Sequence, residues 1–217
     1  MTAIEVRNLS VSYGEHNVLC DFSLVVEVGE AVLIKGPSGC GKSTLLHAIC
    51  GLIPEIIEAE CSGEVFMFGE PVQNLSVAER AKRLGIVFQN PETQLFCDSI
   101  EDEIAFGLEN ICMPRDAMAR RIDEMLKLIN MEKFRFASPK ELSGGQKQRV
   151  VLAAVMALNP KVLLLDEALS QLDRRGKEAL REQFCKLRRE GRTMLMVDHD
   201  DELVSIASRS INLSSPL

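Results

Sequence analysis

The sequence predicts an α/β fold with a mostly parallel central sheet, an antiparallel β portion at its N-terminus and an inserted α-helical subdomain. Three observations predict it. Short apolar runs within residues 31–35, 84–89, 161–167 and 193–199 suit central strands buried on both faces. Helical periodicity separates several of these runs, and strands that alternate with helices build parallel sheets. From Ser99 to about Glu132 the pattern stays helical with no strand between, which marks an insertion.

In chain order, Ile4, Val6, Val11 and Tyr13 lead into a Gly14 turn, and Phe22, Leu24, Val26 and Val28 alternate with Asp21, Ser23 and Glu27. Both read as strands with one wet face, the second ending at Gly29. After the 31–35 strand come a glycine-rich segment and a short helix, and the residues around Gly63 form a hairpin arm. In the inserted segment Ser99 and Asp102 have capping-box spacing, Pro114 breaks the helix, and Met118, Ile122, Met125, Leu126 and Ile129 share one face. A helix over 146–158 places Val151, Ala154, Val155 and Leu158 on one stripe and stops at Asn159 and Pro160. A helix with Leu180, Phe184 and Leu187 ends at Gly191, a strand follows at 193–199, and a short helix and strand close the sequence. The expected organisation is one domain over 1–217, with its core at about 1–90 and 147–217 and the helical subdomain at about 91–146.

Composition removes several function classes. The 217 residues are 46% hydrophobic and 26% charged, and 25 Lys and Arg against 32 Asp and Glu leave a net charge of −7. That balance opposes general attraction to nucleic acid or anionic lipid. The longest uncharged stretches, 43–54 and 150–160, fall well short of the ~20 apolar residues that span a bilayer. The first residues carry early acid and no signal-peptide pattern, so a cytosolic location is expected. Seven cysteines without a CxxC pair suggest neither a disulfide framework nor a zinc site. Aromatics are 5%, with no Trp and one Tyr, Tyr13, which disfavours base stacking on an aromatic platform.

The chemistry begins at Gly36-Pro37-Ser38-Gly39-Cys40-Gly41-Lys42-Ser43, which fits GxxxxGK[ST] between an expected strand and an expected helix. A chance match arises in ~1% of chains this long, before its strand and helix flanks are counted. Glycines let successive N–H groups converge on phosphate oxygens, Lys42 reaches the terminal phosphates, and Ser43 can ligate Mg²⁺. Asp166 ends an apolar strand at the edge where open α/β sheets bind ligands, so it is placed to hold Mg²⁺ through water. Glu167 is then placed to accept a proton from an attacking water.

Leu142-Ser143-Gly144-Gly145-Gln146 opens the 146–158 helix with a second anion-binding helix start, a match rarer than ~1 in 1,000 chains. Here the sequence resembles the nucleotide-binding subunit of ATP-binding cassette (ABC) transporters, over essentially its whole length and in the family's order. The resemblance implies a P-loop NTPase with a RecA-like core, using ATP and Mg²⁺. Tyr13 matches the aromatic that stacks on adenine, Gly36 to Thr44 match Walker A, and Gln89 matches the loop glutamine that touches Mg²⁺. Ser143, Gly144, Gly145 and Gln146 match the signature motif, which acts on the partner's nucleotide. Asp166 and Glu167 match Walker B with its catalytic glutamate, residues 170–173 including Asp173 match the D-loop, and His199 matches the switch histidine.

The implied activity is ATP hydrolysis by Lys42, Glu167 and His199 in a head-to-tail pair with a second ABC ATPase subunit, identical or paralogous. An integral membrane transporter subunit is the other implied partner, with the chain peripheral on the cytoplasmic face and no nucleic acid involved. Residues 88–96 and 101–110 resemble the ATPases of energy-coupling-factor and cobalt or nickel importers, which power uptake of vitamins or metal ions. Ala168 and Leu169 stand where the family usually has Pro-Thr, which puts the turn after Glu167 in question. Relatives with an extra C-terminal domain use it in dimerisation, so weak nucleotide-free dimers are expected here. A cytosolic ABC-type clamp on nucleic acid or ribosomes is the alternative reading; a small-molecule phosphotransferase would leave Ser143 to Gln146 and His199 unexplained. An exposed Cys40 would make the site sensitive to thiol alkylation, with ATP protecting; an inert packing residue is the other reading.

Overall fold

The computed structural model describes residues 1–170, 172–199 and 203–214. Strands β1 (Thr2–Tyr13) and β2 (His16–Glu27) form a long hairpin across Gly14, whose φ of 58° is one that glycine adopts without strain. With β4 (Glu60–Met67) and β5 (Glu70–Pro71) they make an antiparallel sheet in the order β2-β1-β4-β5. Strands β3 (Ala31–Lys35), β6 (Leu84–Val87), β7 (Val162–Asp166), β8 (Thr193–Asp198) and β9 (Arg209–Asn212) make a second sheet, ordered β6-β7-β8-β3-β9 and parallel throughout.

Every residue of β7 and β8 is buried. Their side chains therefore divide between two cores by alternation. Leu163, Leu165, Met194 and Met196 pack with the helices α3 (Ile100–Asn110), α4 (Arg115–Leu128), α5 (Gly144–Ala157) and α6 (Arg174–Arg189). Val162, Leu164, Leu195 and Val197 face the antiparallel sheet and α1 (Lys42–Ile49). Parallel pairing aligns the strand ends, with Lys35 beside Asp198 and Asp166 beside Val197, so their following loops open on one edge.

Several sequence expectations shift. The 84–89 strand ends at Val87, which leaves Phe88 and Gln89 in a loop. The 146–158 helix is α5, starting at Gly144. Its buried apolar residues are Val150, Val151, Leu152, Ala153, Met156 and Ala157, while Ala154, Val155 and Leu158 of the expected stripe are only half-buried. A helix packed against both α3 and α4 and the sheet has no single apolar stripe to read. Helix α2 (Val77–Arg83) was not expected from the sequence, although Ser76 and Glu79 form a complete capping box at its start. Ser99 caps α3 by accepting from the Asp102 N–H, but its hydroxyl, not its backbone N–H, meets the Asp102 carboxylate. Pro114 stands at the start of α4, whose Ile122, Met125 and Leu126 are buried, with Met118 half-buried. The closing strand is β9; the short helix expected before it falls partly outside the described residues. Among the described residues no helix is long and apolar enough to cross a membrane.

Candidate active site

The loop between β3 and α1 is shaped by glycine. A Cβ on Gly36 would lie 2.4 Å from the Leu213 carbonyl oxygen, and one on Gly41, at φ 99°, would lie 2.8 Å from that of Val18. Gly41 also caps α1 without a side-chain hydrogen bond, leaving the helix N-terminus as an anion site. Lys42 is 4% exposed; its ammonium donates to the carbonyls of Gly36 (2.9 Å) and Pro37 (3.1 Å) and lies 3.5 Å from Glu167 Oε1. The adjacent cleft, about 420 Å³, is lined by the backbone and side chains of this loop together with Thr44, Val18, Gln89 and Glu167.

Carboxylates at the strand ends complete it. Ser43 Oγ donates to Asp166 Oδ1 at 3.0 Å. Burial is the main cause that raises the Asp166 pKa above its ordinary 3.8; the Ser43 bond lowers it, the Glu167 charge raises it and the Lys42 charge lowers it. Glu167 accepts from Gln89 Nε2 at 3.1 Å, and His199 Nδ1 lies 3.4 Å from the same carboxylate oxygen. Its backbone has φ 44°, a strained conformation for a non-glycine residue, held by its N–H donating to the Val197 carbonyl and its carbonyl accepting from Ser170 N–H, both at 3.0 Å. Ala168 and Leu169 are buried within that turn. A serine hydroxyl and a buried carboxylate 3.0 Å apart are hard oxygen donors that suit Mg²⁺.

A protein-family model described as ABC transporter matches residues 19–170, well over half of the sequence. The chain belongs to the ABC transporter family. It is 44% identical to a putative ABC transporter ATP-binding protein of Pyrococcus abyssi, over 97% of this chain and 77% of that one. It is 39% identical to an energy-coupling factor transporter ATP-binding protein of Leuconostoc mesenteroides, over 96% and 76%. The solved structure of cbiO1 from Clostridium perfringens, described as part of the ABC transporter complex cbiONQ, superposes with TM-score 0.86 at 29% identity, covering 100% of this chain and 87% of that one. A dimeric structure of a bacterial ABC transporter cassette gives TM-score 0.84 at 31% identity, covering 97% and 94%. The chain spans 38% and 33% of the length of two Methanosarcina relatives it matches.

The cassette thus gathers Lys42, Ser43, Gln89, Asp166, Glu167 and His199 at one cleft. It does not gather all the residues singled out in its sequence. Tyr13 lies at the end of β1, half-buried against the antiparallel-sheet core, and does not line the cleft. Ser143 and Gln146 form a reciprocal capping box on α5, and none of Ser143, Gly144, Gly145 and Gln146 lines this chain's own cleft. Asp173 caps α6 by accepting from the Gly176 N–H at 2.8 Å, and a Cβ on Gly145 would lie 3.4 Å from Gly176 Cα. The starts of α5 and α6 therefore adjoin each other; Gln171 lies outside the described residues.

Sequence reasoning missed Asp198, which ends β8, is 2% exposed and accepts from the His199 N–H at 2.8 Å. The apolar-strand-then-acid pattern that singled out Asp166 was present there as well. Cys40 is fully buried, its Sγ against Gly36, so the phosphate loop holds a packed thiol and not an exposed, alkylation-sensitive one. Maleimide labelling with peptide mass spectrometry should modify the exposed Cys20, Cys61 and Cys112 and spare Cys40 with or without ATP. ATP-suppressed labelling of Cys40 would contradict this packing.

The raised Asp166 pKa gives a signed stability prediction. Ionising an acid whose folded pKa lies above its unfolded value works against the fold as pH rises past 3.8. In metal-free buffer at pH 7, Asp166→Asn should melt at or above the wild-type temperature, the gap closing toward pH 4. A lower melting temperature at pH 7 would show that the ionised carboxylate stabilises the metal-free fold.

Proposed function

We propose that this chain binds ATP with Mg²⁺ at the cleft, hydrolyses it as half of a head-to-tail pair, and powers a membrane importer of a vitamin or metal ion. The observation that carries the hydrolytic reading is the Glu167 carboxylate beside Lys42, Gln89 and His199, next to the Ser43–Asp166 pair. Lys42, whose ammonium donates to two loop carbonyls, turns to the terminal phosphate oxygens when nucleotide binds. Ser43, Asp166 and Gln89 would hold Mg²⁺, which supplies charge neutralisation at the phosphates. Glu167 takes the proton as the water oxygen bonds to the terminal phosphorus and the bridge to the β-phosphate breaks. His199 orients that water and the terminal phosphate, and Tyr13 stacks on the adenine.

Ser143 to Gln146 lie outside the lining of their own cleft, with Ser143 and Gly144 exposed, which supports their use on the nucleotide of a second subunit. In that arrangement Asp173 and the D-loop border the same contact, and residues 91–146 behave as the subdomain that carries it. Support for import comes from residues 88–96 and 101–110 and from likeness to the Leuconostoc and Clostridium proteins. The chain then sits at the cytoplasmic face against an integral membrane subunit. Affinity purification of the tagged chain from its native membranes should bring down that membrane subunit. Recovery with only soluble proteins would argue against a transport motor.

A further inference from the structure

The loop that carries Gln89 is gripped by two side-chain amides. Phe88, the residue before it, has both backbone polar groups engaged by side chains: its N–H donates to Gln94 Oε1 at 2.7 Å, and its carbonyl accepts from Gln148 Nε2 at 3.0 Å. Gln94 Nε2 also donates to the Ile86 carbonyl at 3.1 Å, so one amide brackets the end of β6. The Phe88 ring meets His47 of α1 edge-on, with centroids 5.9 Å apart. Gln148 lies on α5, two residues beyond Gln146, and is 1% exposed. Its Oε1 has no hydrogen-bond partner among the described residues. A buried amide with an orphaned oxygen is a poor choice for packing alone, since an apolar side chain of the same shape removes the desolvation penalty. The bond from its other end explains why an amide stands there. Next to it, Lys147 of α5 pairs with Glu92 at 2.5 Å, adding a second tie to the turn at Pro91–Thr93.

We propose that Gln94 and Gln148 are positioning residues that fix Phe88 so that Gln89 reaches Glu167, Gln148 thereby linking the signature helix to its own chain's cleft. This rests on the proposed roles of Gln89 and Glu167 in ATP hydrolysis. The Gln89–Glu167 bond is 3.1 Å long, and a backbone shift of about 1 Å would carry it past any hydrogen-bonding distance. A purely structural role for the two amides would instead appear as lost stability with no specific change at Gln89.

The test uses the full chain with Gln148→Met, which keeps the shape and removes the donor, and Gln94→Leu as a second variant acting on the other side of Phe88. Hydrogen-exchange mass spectrometry without nucleotide should show faster exchange at residues 86–90 in each variant. ATP turnover should fall on the order of tenfold in kcat with KM changed less than about twofold, below the ~10²-fold that a full 1 Å misplacement costs. In a Gln89→Ala background, Gln148→Met should lower turnover no further, because it acts through the residue already removed. Multiplying effects in the double variant, or unchanged exchange at 86–90, would overturn the proposal while leaving ATP hydrolysis intact. A wild type that does not hydrolyse ATP would instead overturn the proposed roles of Gln89 and Glu167, and with them the clamp's catalytic purpose.

Discussion

Glu167→Gln is expected to lower ATP turnover by about 10²–10⁴-fold, the range associated with loss of a general base. The substitution keeps the side-chain shape and removes the negative charge and proton affinity. The phosphate loop keeps its glycine backbone, the two carbonyl acceptors of Lys42 and the Ser43–Asp166 bond, and loses only the charge contact between Lys42 and Glu167. ATP affinity, measured by equilibrium titration with a fluorescent analogue, should therefore stay within a few-fold of wild type. Phosphate release measured beside it should collapse. Equal turnover in the two proteins would remove Glu167 from the chemistry.

Ser143→Glu is expected to suppress turnover by a comparable amount through a different route. Ser143 is exposed at the start of α5 and outside its own cleft, so a new carboxylate there barely touches binding by a single chain. In a head-to-tail pair it faces the phosphates held by the other subunit. Like charges brought together at an interface cost several kcal/mol, which corresponds to roughly 10²-fold or more. Loss of the Ser143 cap is a separate and smaller effect, about 1 kcal/mol of stability. Ser143→Ala isolates that smaller effect, because it removes the cap without adding charge. Full turnover by Ser143→Glu would show that α5 does not approach a partner's nucleotide.

The parts of this site that were legible in the sequence are those set by the backbone. Ala31–Lys35 and Val162–Asp166 announced themselves because strands buried on both faces must be apolar until they reach the open edge, where Lys35 and Asp166 stand. The glycines at 36 and 41 follow from close approach to the Leu213 and Val18 carbonyls, a constraint that no other residue type meets. What escaped was tertiary. Helix α5 lost its readable stripe because it is packed between α3, α4 and the sheet. Gln94 and Gln148 looked like ordinary polar residues, since the bonds to Phe88 that define them span 6 and 60 residues of sequence. The left-handed backbone of Glu167 depends on Val197, contributed by a strand that returns about thirty residues later. Cys40 sits between two glycines that line the cleft, yet its own side chain is packed in the core.

Mixing the two inactive variants tests the central claim, that the cleft of one chain is completed by the signature helix of another. A pair formed from one Glu167→Gln chain and one Ser143→Glu chain contains one doubly damaged site and one site with an intact Glu167 facing an intact Ser143. Equal mixing should restore phosphate release to about a quarter of the wild-type level, since half of randomly formed pairs are mixed and each holds one working site of two. A mixture as inactive as its two components would contradict the shared site.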